Sequence, residues 1–193
     1  MAAASTEIPD GPGDKDLLAP GIHAAYFFDS HAEKQQKLFS LCREAVDEKN
    51  ASLIYVAGKQ GVKGIRLSLK DTGFDVAAYE KKQQMKIADS EEFFLSSGRQ
   101  QTFLPVQDII EKITGYEKEA SKLGFSGLVI LCETDMLVRK GYLQGYKEFD
   151  KSIGTLLPKS HITLLCAFDS RELTARGVPN PESEIGPLHS VIV

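Results

Sequence analysis

Two stretches, GLVILCETD at residues 127–135 and HITLLCAFDS at residues 161–170, stay almost wholly apolar until they end in acidic side chains. A strand with one wet face alternates apolar and polar residues. A strand that is apolar at nearly every position is buried on both faces, as in a parallel sheet covered by helices. Shorter runs repeat the pattern: HAAYFF at 23–28 closed by Asp29 and Ser30, and SLIYVAG at 52–58 followed by Lys59. A brief strand at 85–88 precedes Asp89, and HSVIV at 189–193 reads as a short closing strand.

The segments between these runs carry helical periodicity. Leu38, Leu41, Cys42, Ala45 and Val46 mark one buried face of a helix over 31–49, with Asp29 or Ser30 as its N-cap. Val62, Ile65 and Leu69 fit a second helix ending near Thr72 and Gly73. A short polar helix follows, then a capped segment at Asp89 and Ser90. Pro105 opens a helix over 106–123, another spans 142–157, and a Pro/Gly-rich loop covers 177–187. Strands alternating with helices predict an α/β three-layer sandwich around a mostly parallel central sheet, joined by right-handed crossovers. At 193 residues the chain suits one domain over 21–193, behind a flexible tail over 1–20 rich in Pro, Gly, Ser and Asp. No internal repeat is visible.

With 23 basic against 27 acidic side chains, the chain lacks the charge footprint of a general nucleic-acid binder. Cys42, Cys132 and Cys166 form no CxxC pair and no disulfide framework, which fits buried thiols in a reducing cytoplasm. The N-terminus has no basic start followed by an apolar core, and no apolar run reaches membrane-spanning length.

In sheets of this kind ligands bind where strands end and helices begin. That rule selects Asp29, Ser30, Gly58, Lys59, Asp89, Glu133, Asp135, Asp169 and Arg171. Each acid alone reads first as a helix cap, and together they need Lys59, Arg139, Arg171 or a cation to balance them. Known chemical motifs are missing. FFDSHAEKQQK lacks the glycines of a phosphate loop, and its Lys34 falls inside the predicted helix. AGKQGVKGI has glycines and lysines but places Val62 and Ile65 where a phosphate loop needs other residues. GFSG at 124–127 precedes a strand instead of forming a nucleophile elbow after one. His23, His31, His161 and His189 never pair at a ligand spacing, so no metal is expected, and His23 and His161 read as structural histidines opening strands. Cys132, directly before Glu133, is expected at the mouth of the crevice, where a redox role is conceivable but dulled by the neighbouring carboxylate.

HAAYFFDSHAEKQQKLFSL, LIYVAGKQGVKGIRLSLKDTGFDV, MKIADSEEFF, GFSGLVILCETDML, LLPKSHITLLCAFDSREL and the closing GPLHSVIV together resemble the MEDS domain, a sensory domain named for methanogens and methylotrophs. The resemblance covers residues 23–193 and implies a RecA- or KaiC-like fold without an intact phosphate loop. It implies a capped turn at Asp29 where that loop would stand, with Glu133 and Asp135 at the place of a Walker B carboxylate. The function it implies is non-enzymatic sensing, with no catalytic residues and no cofactor. A small ligand would meet His23, Asp29, Ser30, Lys59, Glu133, Asp135, Asp169 and Arg171. The signal would pass to a separate output protein, a transcription regulator or kinase. Two alternatives stand beside it. One is a nucleotide binder or weak NTPase using Lys59 and helix N-termini. The other is an interaction module or homodimer with a vestigial crevice.

Overall fold

The computed structural model describes residues 16–193. Six strands among them form one sheet: β1 (His23–Phe28), β2 (Ser52–Ala57), β3 (Met85–Asp89), β4 (Leu128–Glu133), β5 (Ile162–Asp169) and β6 (Val191–Ile192). Their order is β3-β2-β4-β5-β1-β6, and every pairing is parallel. β4 and β5 therefore lie between β1 and β2, and all the strands end along the same edge. This is the sandwich expected from the doubly buried apolar runs.

Alternation along each strand divides the core in two. Ala24, Tyr26, Phe28, Tyr55, Leu131 and Ala167 face a layer made by α1 (His31–Arg43), α2 (Gly61–Asp71) and α3 (Val76–Lys81). Ala25, Phe27, Val56, Cys132, Cys166 and Phe168 face the opposite layer. That layer contains α4 (Ser90–Phe94), α5 (Val106–Lys122), α6 (Asp135–Arg139), α7 (Leu143–Leu156), α8 (Ser170–Ala175) and α9 (Pro181–Ile185).

The helix predicted over 31–49 divides into α1 and a π-helical turn, Glu44–Glu48, which keeps Ala45 and Val46 buried. α6 was not anticipated, and α9 occupies what the sequence presents as a loop. The expected tail also ends earlier than residue 20. Leu18 is buried, Thr163 Oγ1 donates to the carbonyls of Leu18 and Ala19 at 3.2 and 2.8 Å, and Lys49 pairs with Asp16 at 2.6 Å. The rest of that segment, residues 1–15, lies outside the described residues. Among the described residues no helix is long and apolar enough to cross a membrane.

Candidate functional site

Strand alternation turns Glu133, the last residue of β4, toward the α1 and α2 layer. There Lys34 of α1 donates from Nζ to Oε2 at 2.7 Å and the Tyr55 hydroxyl donates to Oε1 at 2.5 Å. The Gly58 backbone N–H completes the set at 3.3 Å from Oε2. Lys34 and Glu133 are 2% and 1% exposed, so this ion pair is sealed inside the protein. Burial, reinforced by the Glu133 charge, holds the Tyr55 phenol well above its ordinary range and keeps it a donor.

Asp135 sits beside this network and accepts from the Lys59 backbone N–H at 3.3 Å. Burial first, and the Glu133 charge second, raise its carboxyl above the usual range, with Lys34 opposing them. A β-carbon at Gly58 would stand 1.9 Å from Asp135 Oδ1 and 3.0 Å from Glu133 Cβ, so the turn after β2 needs glycine for close approach.

Above these buried groups a crevice of about 380 Å³ opens at the strand ends, lined by Phe28, His31, Lys34, Lys59, Gln60, Asp135, Arg139, Asp169 and Arg171. Asp169 caps α8, accepting from the N–H groups of Arg171 and Glu172 at 3.0 and 3.2 Å. Arg139 pairs with Glu172 at 2.9 Å, but its Nε is buried with no hydrogen-bond partner. α2 begins without a side-chain cap, because the Gln60 amide is engaged with Ser68 and Gln35. The crevice therefore presents three cations: the exposed Lys59, Arg139 paired with Glu172, and the exposed Arg171, whose Nε lies 3.8 Å from Asp169 Oδ1.

Of the residues selected from the sequence, Lys59, Asp135, Asp169 and Arg171 line this crevice. Ser30 instead caps α1, accepting from Glu33 N–H at 3.2 Å, and Asp29 is exposed beside it. Glu133 lies beneath the crevice, turned inward to its own partners. His23 does not belong with them. It is the first residue of β1, at the opposite edge of the sheet, where its Nε2 lies 3.0 Å from Asp150 Oδ1. Cys132 is 0% exposed and faces the other helical layer, so it does not stand at a crevice mouth. The expectation that the histidines stay apart also fails, because parallel pairing of β6 with β1 brings His189 to a ring-centroid distance of 4.2 Å from His23. Lys34 is the residue the sequence reading passed over. Its signal was present, since it falls four residues before Leu38 on the stripe that α1 buries.

A KaiC-like protein, PH0186, from the hyperthermophilic archaeon Pyrococcus horikoshii OT3 has a similar structure, with a TM-score of 0.57 at 12% sequence identity. The match covers 78% of this chain and 62% of that one, and it identifies the fold as KaiC-like. No curated protein matches the sequence. The family model of MEDS, the methanogen/methylotroph, DcmR sensory domain, matches residues 22–179. With that match running from β1 to the turn after α8, the chain belongs to the MEDS family of sensory domains.

Proposed function

We propose that this sensory domain binds a small acceptor-bearing molecule, an organic carboxylate or a similar small anion, in the strand-end crevice, and passes the change to a partner protein. The carrying observation is the gathering of three cations, Lys59, Arg139 and Arg171, around about 380 Å³ of space with Phe28 as an apolar contact.

The residues present do not fit a nucleotide's phosphates. The β1–α1 turn is Asp29-Ser30, with no glycine to open its amides, and the ammonium that α1 supplies is held by buried Glu133 at 2.7 Å. A carboxylate needs less: two or three donors and an apolar contact for its remainder.

The test is the melting temperature of the purified protein against millimolar C2 to C5 mono- and dicarboxylates, with ATP and ADP plus magnesium as separate arms. A ligand at about a hundred times its dissociation constant adds about 2.7 kcal/mol, which is roughly 5–11 °C for a domain of this size. A carboxylate should raise the melting temperature in wild type and lose that effect in Lys59→Ala and Arg139→Ala. A response to magnesium nucleotide with turnover would overturn the non-enzymatic reading, and no response to any small anion would remove the crevice assignment.

A further inference from the structure

At the amino edge of the sheet, on the face opposite Lys34 and Glu133, four side chains from distant parts of the sequence meet. His23 opens β1, Cys166 lies in mid β5, Asp150 comes from α7, and His189 sits on the strap between α9 and β6. Asp150 Oδ1 is 3.0 Å from His23 Nε2, and Asp150 Oδ2 is 3.0 Å from His189 Nε2. Cys166 Sγ lies 3.9 Å from His23 Nε2 and 3.7 Å from Asp150 Oδ1. One ligand atom from each residue falls within 4.8 Å of all the others.

Two features mark this as more than a packed polar cluster. The His189 Nδ1 contacts the Ile185 carbonyl at 3.2 Å, and since a carbonyl only accepts, that nitrogen carries the proton. In the neutral ring Nε2 is then a bare lone pair, fully buried and facing a carboxylate oxygen, and neither atom has a hydrogen-bond partner. Two acceptors pointed at each other in an apolar interior call for a positive charge between them, a proton on the imidazole or a metal ion. The spacing is also right. Zinc bonds of about 2.0–2.1 Å to nitrogen and oxygen and about 2.3 Å to sulfur set tetrahedral edges near 3.3 and 3.6 Å. The three edges among His23 Nε2, Asp150 Oδ1 and Cys166 Sγ, at 3.0, 3.9 and 3.7 Å, lie within a few tenths of an ångström of those values, while His189 Nε2 approaches the other Asp150 oxygen at 3.0 Å.

We infer that His23, Asp150, Cys166 and His189 form a binding site for one divalent transition metal, with Zn²⁺ the best match to two imidazoles, a carboxylate and a thiolate. The donor set is of mixed softness, which disfavours magnesium and calcium. Four protein ligands in a buried setting leave no open position, so the metal would act as a clasp. It would tie the C-terminal strap to β1, β5 and α7. Binding would deprotonate Cys166 and release its proton to solvent. His189 lies beyond residues 22–179, the span of the family match, so the full ligand set belongs to this chain and not to the matched segment alone.

The experiment uses the full chain stripped with a chelator and titrated with Co²⁺, then Zn²⁺, with bound metal counted by elemental analysis. One cobalt per chain is expected, with a thiolate-to-cobalt charge-transfer band in the near ultraviolet and the intense visible bands of a tetrahedral ion, both bleached by zinc. Cys166→Ser should abolish the charge-transfer band, Cys132→Ser should keep it, and His189→Gln should weaken binding by at least about 100-fold. If a variant fails to fold, the wild-type stoichiometry and spectrum still decide the matter. No metal retained by wild type, or cobalt bound without a thiolate band, would overturn the proposal and leave a buried His–Asp–His proton cluster. A band that survives in Cys166→Ser would overturn the ligand assignment.

Discussion

At the scale of single residues the clearest consequence is at Lys34. Its pairing with Glu133 is buried, and a buried ion pair adds little net stability while removal of one member is expensive. Lys34→Met should therefore destabilise the protein by about 3–5 kcal/mol, because it leaves an ionised carboxylate with only Tyr55 and the Gly58 N–H beside it. The double variant Lys34→Met/Glu133→Gln should recover most of that loss in chemical denaturation, and a double variant no more stable than the single one would show that the pair's charge is not the issue. Asp135 behaves in the opposite sense. Burial and Glu133 raise its carboxyl in the folded protein, so the protonated form is favoured by folding. Its contribution is full below about pH 3.9, the ordinary value, and is lost as pH rises through the higher folded-state value. Asp135→Asn should then be more stable than wild type at pH 7, with the gain shrinking to nothing toward pH 3.9. A gain independent of pH would contradict it. Both acids were readable as the polar end of an apolar run, but what each one touches was not. Periodicity shows that Lys34 lies on the buried stripe, while only the folded sheet shows Glu133 waiting above it.

At the scale of elements, the strands were legible because burial on both faces leaves an unbroken apolar run, and β1, β2, β4 and β5 fall where those runs are. α6 and α9 were not. Each is a single turn, too short to overcome the nucleation penalty alone, and each persists because Leu137, Val138 and Ile185 are buried against the core. The same dependence on tertiary contact governs the turn after β2, where Gly58 lets Asp135 approach the backbone. Gly58→Ala would put a β-carbon 1.9 Å from Asp135 Oδ1, so the Asp135 side chain, the β2–α2 turn or α6 must shift. The expected loss is about 1–3 kcal/mol, read as a lower denaturation midpoint at unchanged slope. Combining it with Asp135→Ala should restore part of the loss, since only the Glu133 Cβ contact at 3.0 Å then remains. Equal losses in the single and double variants would place the strain elsewhere.

Across the whole molecule the two polar centres lie at opposite edges of one sheet and on opposite faces of it. His23 and Phe28 are the two ends of β1, five residue steps apart, which is roughly 17 Å at about 3.3 Å per residue. Both centres are buried, where salt screens little, so it is the sheet between them that separates their charges. They share no hydrogen-bond partner, and coupling can pass through β1 against β5 or through β4 against β5, where Cys132, next to Glu133, is in register with Cys166. Sites this far apart usually add within about 0.3–0.5 kcal/mol. The destabilisation of Lys34→Met/His189→Gln should therefore equal the sum of the two single changes within that margin, measured by urea unfolding in the presence of chelator. A departure above about 1 kcal/mol would mean that the strands joining them move as a unit with two arrangements. Occupancy at either edge would then be felt at the other, by the same factor in both directions. Additivity would show the two centres to be energetically independent, so that a change beside α1, α2 and α6 leaves the far edge as it was.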